Sequence, residues 1–269
     1  MISFDEIRQA YDRVLPIVHK TPLIQSSTLN GISGNAVWLK AENLQRIGAF
    51  KIRGAYNKIA CLTKEERRRG VVAHSSGNHA QGVALAASLL GIKATVVMPK
   101  TSPLIKVNAT KAYGAEVVFC EDSSDARERT AAELQDRRGY VLVPPYDDDL
   151  IIAGQGTVAL EIAAEMKTLD YLIVPVGGGG LIAGSAVAAK HLHPHVKVIG
   201  VETVSANDCY QSFRKKEIVR IAPPSTIADG MRTQSVGKRN FEIIMKCVDD
   251  IVTVSDDQVI EMMRFLIQR

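Results

Sequence analysis

The chain has 269 residues, 46% hydrophobic and 23% charged, and so can bury one large core or two modest ones as an ordinary globular protein. A net charge of +4 is too small to imply nucleic acid, and the basic runs Arg67–Arg69 and Arg214–Lys216 sit beside glutamates as solvated helix faces. The first residues are acidic where a signal peptide would be basic and then apolar, and Cys61, Cys120, Cys209 and Cys247 are too scattered for a zinc pair or a disulfide framework; a cytoplasmic protein with free thiols is expected.

In chain order, a capping box at Ser3 and Glu6 opens the first helix, Val37–Lys40 reads as a strand, and a helix begins near Ile52. A second capping box, Thr63 with Glu66, opens another helix. Apolar β-rich runs then alternate with helical segments at 71–74, 94–98, 116–120, 140–143, 172–176, 196–201 and 251–254. That alternation predicts an α/β protein with parallel sheets. The Pro- and Asp-rich stretch Pro144–Asp149 is the candidate crossing between lobes. Asp256 to Arg269 reads as a helix with neither a C-cap nor a closing strand, so the chain is expected to be incomplete there.

Residues 171–189 carry no formal charge, and the four glycines Gly177–Gly180 lie in their middle. A buried strand before them and a small-residue helix after them make this a strand-to-helix turn, whose unpaired N–H groups attract an anion that only glycine lets approach. A membrane span would be broken by Pro175 and the glycines, and a flexible linker would not have two apolar flanks. A merely tight turn is the remaining alternative. The spacing fits neither a dinucleotide fold nor a P-loop, which points to the phosphate of another cofactor.

Three further constellations carry chemistry. Lys51, in Gly48-Ala-Phe-Lys-Ile-Arg-Gly54, lies beside Phe50 at a strand-to-helix junction, where an apolar, electropositive setting would lower its pKa and make the amine a nucleophile; a solvated surface lysine is the alternative. Ser75-Ser-Gly-Asn-His-Ala-Gln-Gly82 follows a strand directly and aims Ser76 and Asn78 across the carboxyl end of a sheet. Ser75, Ser76, Gly77, Asn78 and His79 are expected to hold a substrate, with the next helix offering its first N–H groups to a carboxylate. The other reading is an ordinary N-cap by Ser or Asn, and His79 taken alone reads as structural. Glu202, the Ala206 carbonyl and Asp208 could converge on a hard divalent cation, or form a solvated loop with a helix cap.

Gly-Ala-Phe-Lys-Ile-Arg-Gly, Ser-Ser-Gly-Asn-His-Ala-Gln, Ala153-Gly-Gln-Gly-Thr157 and Val174-Pro-Val-Gly-Gly-Gly-Gly-Leu181 occur in an order and spacing that resemble the serine/threonine dehydratase and serine racemase family, pyridoxal-phosphate (PLP) enzymes of the tryptophan-synthase β type. The likeness runs from about Ser3 to the last residue. It implies two lobes of open, mostly parallel twisted sheets flanked by helices, with 1–69 and 146–269 forming the large PLP-binding lobe and 70–145 the small one. Lys51 would hold PLP through a Schiff base and Gly177, Gly178, Gly179 and Gly180, with Leu181, would cradle it. Asn78 would meet the ring hydroxyl and Phe50 would pack beside the ring. The implied reaction takes ammonia from L-threonine or L-serine, the β-hydroxyl leaving as water that a later hydrolysis returns, with Lys51 taking the Cα proton. Ser76, on the opposite face, keeps serine racemase chemistry open.

Val201–Tyr210 resembles the metal-binding loop of the racemase branch, implying Mg²⁺ or another divalent cation at Glu202, Ala206 and Asp208, whereas Pro145-Tyr-Asp-Asp is more similar to the dehydratase branch. A homodimer is implied, and a nucleotide effector stays open. The family pattern continues into a Ser- or Cys-bearing segment that contacts the pyridine nitrogen, and this sequence ends before it. A PLP-binding protein without turnover is the rival that this departure keeps in view.

Overall fold

The computed structural model describes residues 1–268. Its first part carries α1 (Phe4–Val14), β1 (Leu23–Gln25), α2 (Ser27–Ser33), β2 (Trp38–Lys40) and α3 (Lys51–Ala60). Next come α4 (Lys64–Arg69), β3 (Val71–His74), α5 (Asn78–Leu89), β4 (Ala94–Pro99), α6 (Leu104–Ala112), β5 (Glu116–Cys120), α7 (Ser124–Arg138) and β6 (Val141–Leu142). The rest comprises α8 (Asp149–Glu165), β7 (Tyr171–Pro175), α9 (Gly180–Leu192), β8 (Lys197–Thr203), α10 (Asp208–Lys215), α11 (Lys238–Cys247), β9 (Asp250–Val254) and α12 (Asp256–Gln268).

Two parallel sheets result, as the alternating pattern requires. One has the order β5-β4-β3-β6, the other β7-β8-β9. The wholly buried β4, Ala-Thr-Val-Val-Met-Pro, has no polar face because helices cover both sides of it. Each sheet has its own apolar core: Val71, Ala73, Val96 and Met98 pack with α3 and α5, while Leu172, Val174, Val198 and Ile251 pack with α9 and α11. Both expected capping boxes are present. The antiparallel pair β1–β2 joins Leu23–Gln25 to Trp38–Lys40; its first strand, three residues long after Pro22, has no alternation to announce it.

Helix α8 lies between α3 and α9, and 11 of its 17 residues are buried, so it is apolar nearly all round rather than striped. Asp148 caps it, accepting hydrogen bonds from Leu150 N and Ile151 N. Among the described residues no helix is long and apolar enough to cross a membrane.

Candidate active site

Three helices begin at one cleft, and none of them has a side-chain N-cap. They are α3 after Phe50, α5 after Gly77 and α9 after Gly179. By contrast, Ser3, Ser26, Thr63, Ser123 and Asp148 cap α1, α2, α4, α7 and α8. The cleft, about 610 Å³, is lined by Phe50, Lys51, Ser75, Ser76, Gly77, Asn78, His79, Gly177–Gly180 and Leu181. The expected cofactor and substrate residues therefore converge, from segments up to 131 positions apart, on one space. The N-cap reading of Ser75–Asn78 is replaced: the cap is Gly77, and the Ser75 hydroxyl accepts from Gly77 N at 3.2 Å.

Lys51 is the first residue of α3. Buried Gln45 ties the preceding turn to His19 through both of its amide atoms, and the turn passes through Ile47 at φ 62° and Gly48 at φ 68°. A left-handed conformation is costly for a β-branched residue, so the surrounding contacts hold this turn in place. Lys51 is half-buried and lines the cleft, and the protein atoms packed round its amine bring its pKa down to about 8. It donates to the Pro145 carbonyl at 2.8 Å and lies 5.3 Å from the Phe50 ring centre. His79, also buried, donates from Nε2 to the Val143 carbonyl at 2.8 Å. Burial and the nearby Lys51 charge push its pKa down to about 3, so the ring is neutral at working pH. Lys51 and His79 thus grip the same crossing segment.

On the far side, Gly179 takes φ 90° to turn the chain from β7 into α9. A Cβ on Gly178 would overlap the Tyr146 ring, and one on Gly177 would lie 2.9 Å from the Gly230 carbonyl. Asn240 Nδ2 and Gly237 N donate to the Gly178 carbonyl at 2.6 and 3.1 Å, fixing the loop from behind. A buried amine of lowered pKa and an uncapped glycine turn in one cleft fit a cofactor with an aldehyde and a phosphate on one ring, which is pyridoxal phosphate.

Residue type alone does not single out Tyr146, yet its ring packs on the glycine turn and burial pushes its hydroxyl up to about 12. Asp147 beside it accepts from Lys238 N and Arg239 N at 3.1 and 2.8 Å, capping α11 from a distance. The Pro-Tyr-Asp-Asp stretch signals the local cap of α8 by Asp148, because a carboxylate before an apolar run announces one, but not the long-range reach of Asp147.

The acidic pair lies behind the glycine turn. Glu202, in β8, is fully buried and accepts from Cys209 N at 3.2 Å and Tyr210 N at 2.6 Å. Asp208 is not in a solvated loop but opens α10, fully buried; one of its oxygens accepts from the Thr233 hydroxyl at 3.4 Å and the other, Oδ2, is buried without a partner. Ala206 is buried between them in the chain. Burial, then repulsion from Asp208, pushes Glu202 up to about 8, and burial pushes Asp208 up to about 7. Among the described residues no group of three or more His, Cys, Asp or Glu side chains stands ready for a metal, so these two carboxylates would need backbone carbonyls or water to complete a shell.

Residues 14–269 match the family model described as pyridoxal-phosphate dependent enzyme. The chain is 47% identical over 267 residues to an L-threo-3-hydroxyaspartate ammonia-lyase of Saccharomyces cerevisiae, covering 99% of this chain and 82% of that protein. It is 44% identical over 268 residues to a catabolic L-threonine dehydratase of Escherichia coli, with 100% and 82% covered. The solved serine racemase of Dictyostelium discoideum superposes with a TM-score of 0.95 at 40% identity, covering 100% of this chain and 86% of that one. With its amine and its glycine turn facing one cleft, this chain belongs to the pyridoxal-phosphate dependent enzyme family.

Proposed function

We propose that the chain is an ammonia-lyase that converts L-threonine or L-serine to 2-oxobutyrate or pyruvate and ammonia. The observation that carries this reading is the Lys51 amine, buried and brought down to about pKa 8, in the same cleft as the uncapped glycine turn. PLP, when bound, supplies the electron sink that weakens bonds at the substrate Cα. Gly177–Gly180 and the start of α9 would hold its phosphate, Asn78 would meet its ring hydroxyl, and Phe50 and Leu181 would line the ring. Ser75–His79 hold the substrate carboxylate at the start of α5. Lys51 would take the substrate Cα proton; an amine half neutral near pH 8 is matched to that task. Departure of the β-hydroxyl and addition of water then leave keto acid and ammonia.

The second reading is serine racemase, supported by Ser76 lining the same cleft as Lys51, so that a proton could be exchanged on either face. Both readings take a divalent cation at Glu202, the Ala206 carbonyl and Asp208; the orphaned Asp208 oxygen and two buried carboxylates facing each other support it, and oxygen-only ligands favour Mg²⁺ or Ca²⁺. The two separate parallel sheets support a large lobe of 1–69 and 146–269 and a small one of 70–145, with α3 of the large lobe packing on the small lobe's sheet.

Keto-acid release with chiral analysis of the remaining serine tests the pair of readings. Ser76→Ala is expected to cut racemisation and D-serine turnover by roughly 100-fold or more, and L-threonine deamination far less. Equal losses on all three reactions would assign Ser76 to substrate binding, and no keto acid from either L-amino acid would refute the lyase.

A further inference from the structure

The Ala153-Gly-Gln-Gly-Thr157 stretch does not touch the cleft, yet it stands between the two elements that grip the cofactor. Helix α3 begins with Lys51 and α9 begins with Gly180, and α8 separates them. Gly154 and Gly156 are two residues apart, about 200° around a helix of 3.6 residues per turn, so they face nearly opposite sides. One faces each neighbour. A Cβ on Gly154 would lie 2.6 Å from Gly54 Cα and 2.7 Å from the Arg53 carbonyl, in α3. A Cβ on Gly156 would lie 2.7 Å from the Gly184 carbonyl, in α9. The reverse faces are equally tight: a Cβ on Gly54 would strike the Ile151 carbonyl at 2.8 Å, and one on Gly184 would lie 2.6 Å from Gly156 N and overlap the Ile152 carbonyl. Gln155, buried between the two glycines, accepts from Gly54 N at 3.3 Å.

Both crossings are backbone on backbone, which cannot yield as a flexible side chain would. Each sits one turn from a cofactor contact: Gly54 is three residues beyond Lys51, and Gly184 four beyond Gly180, about 4.5 and 6 Å along their axes. We propose that Gly54, Gly154, Gly156 and Gly184 are positioning residues that set the span between the Lys51 amine and the phosphate-holding turn. A methyl group at 2.6 Å from carbon must retreat about 1 Å to reach ordinary contact, and the two helix starts move apart with it. A rigid ring held at both ends feels that change. A ligand held at one end does not.

The inference rests on the PLP reading, and its test separates the two. Gly154→Ala and Gly184→Ala are titrated with PLP and with pyridoxal, which has the same aldehyde and no phosphate, following the visible band of the Lys51 adduct. Ile162→Ala, on α8 away from both crossings, controls for lost stability. The glycine variants are expected to weaken PLP by roughly 100-fold, or about 2.8 kcal/mol, while pyridoxal changes less than about threefold and the control moves neither ratio. Equal weakening of both aldehydes, or unchanged PLP affinity, overturns the inference and leaves the functional reading standing. A wild-type chain that takes up neither aldehyde refutes that reading and this one together. If the alanine variants do not fold, Gln155→Ala, which adds no atom to either crossing but empties the space between α3 and α8, is expected to show the same split at smaller size; parallel losses there overturn the inference too.

Discussion

Arg53 and Lys51 are two residues apart in one helix, yet their charges are treated in opposite ways. Arg53 is fully buried and fully paired: its guanidinium meets Glu161 at 2.7 and 3.0 Å and Glu42 at 2.8 Å twice, and Lys40 completes a neutral quartet at 2.6 Å from Glu161. Lys51 donates to a backbone carbonyl, and Glu202 and Asp208 repel each other from buried positions. Where buried charges are matched, the chain has joined β2, α3 and α8 into one rigid body. Where they are unmatched, the protein carries a cost that a ligand can relieve, and those are the places read above as functional.

The sharpest way to break this contrast is to remove Lys51. Lys51→Ala is expected to abolish covalent cofactor capture altogether, with borohydride labelling lost from the peptide containing residue 51; labelling at another lysine would end the assignment. The pH dependence has a defined sign. A folded pKa of about 8 means that the amine is mostly neutral above that pH, so in the cofactor-free chain its reaction with an acylating reagent rises through pH 8 and levels off. A solvated lysine would keep rising to about 10.4. A midpoint near that higher value would show that burial does not govern this amine.

A smaller effect tests the other side. Arg53→Met leaves Glu42, Glu161 and Lys40 with one excess buried negative charge and is expected to cost about 3–5 kcal/mol of stability, read by denaturant titration. Adding Glu42→Gln restores neutrality while Lys40 keeps Glu161, and should return part of that loss. If Glu42→Gln makes the Arg53→Met chain still less stable, the charge-matching account of the quartet fails.

Much of this arrangement was legible in the residues because it is local. Parallel strands announce themselves as short apolar runs, and Lys51, Ser76, Asn78 and Gly177–Gly180 each sit at a junction entering a helix, where ligands of open sheets gather. What stayed hidden is long-range. The acceptor of Lys51 is a backbone carbonyl 94 residues away, and that of His79 one 64 residues away; a carbonyl carries no residue-type signal. Arg53 lies in a recognised motif, but its partners Glu42 and Glu161 stand 11 and 108 residues off, so nothing in the motif marks it as the centre of an ion network. The two glycines of α8 were visible as a pattern, and only the crossing of three helices gives that pattern a use.

The mildest test concerns the unmatched carboxylates. If a divalent cation belongs at Glu202, Ala206 and Asp208, it binds the folded chain alone and stabilises it by about 2.7 kcal/mol at a hundredfold excess over Kd, a rise in Tm of roughly 5 °C. Glu202→Gln with Asp208→Asn removes both charges at nearly constant shape, so the cation-dependent rise should vanish. The same change relieves the burial of two facing carboxylates, so the double variant without cation should melt no lower than the cation-free wild type. The capture of PLP at Lys51 should persist, because neither side chain lines the cleft and Asp208 is hydrogen-bonded to it through Thr233. A wild type that Mg²⁺ and Ca²⁺ shift no more than the double variant would place these carboxylates with the quartet after all, as architecture completed by Cys209 N, Tyr210 N and Thr233 rather than by a metal.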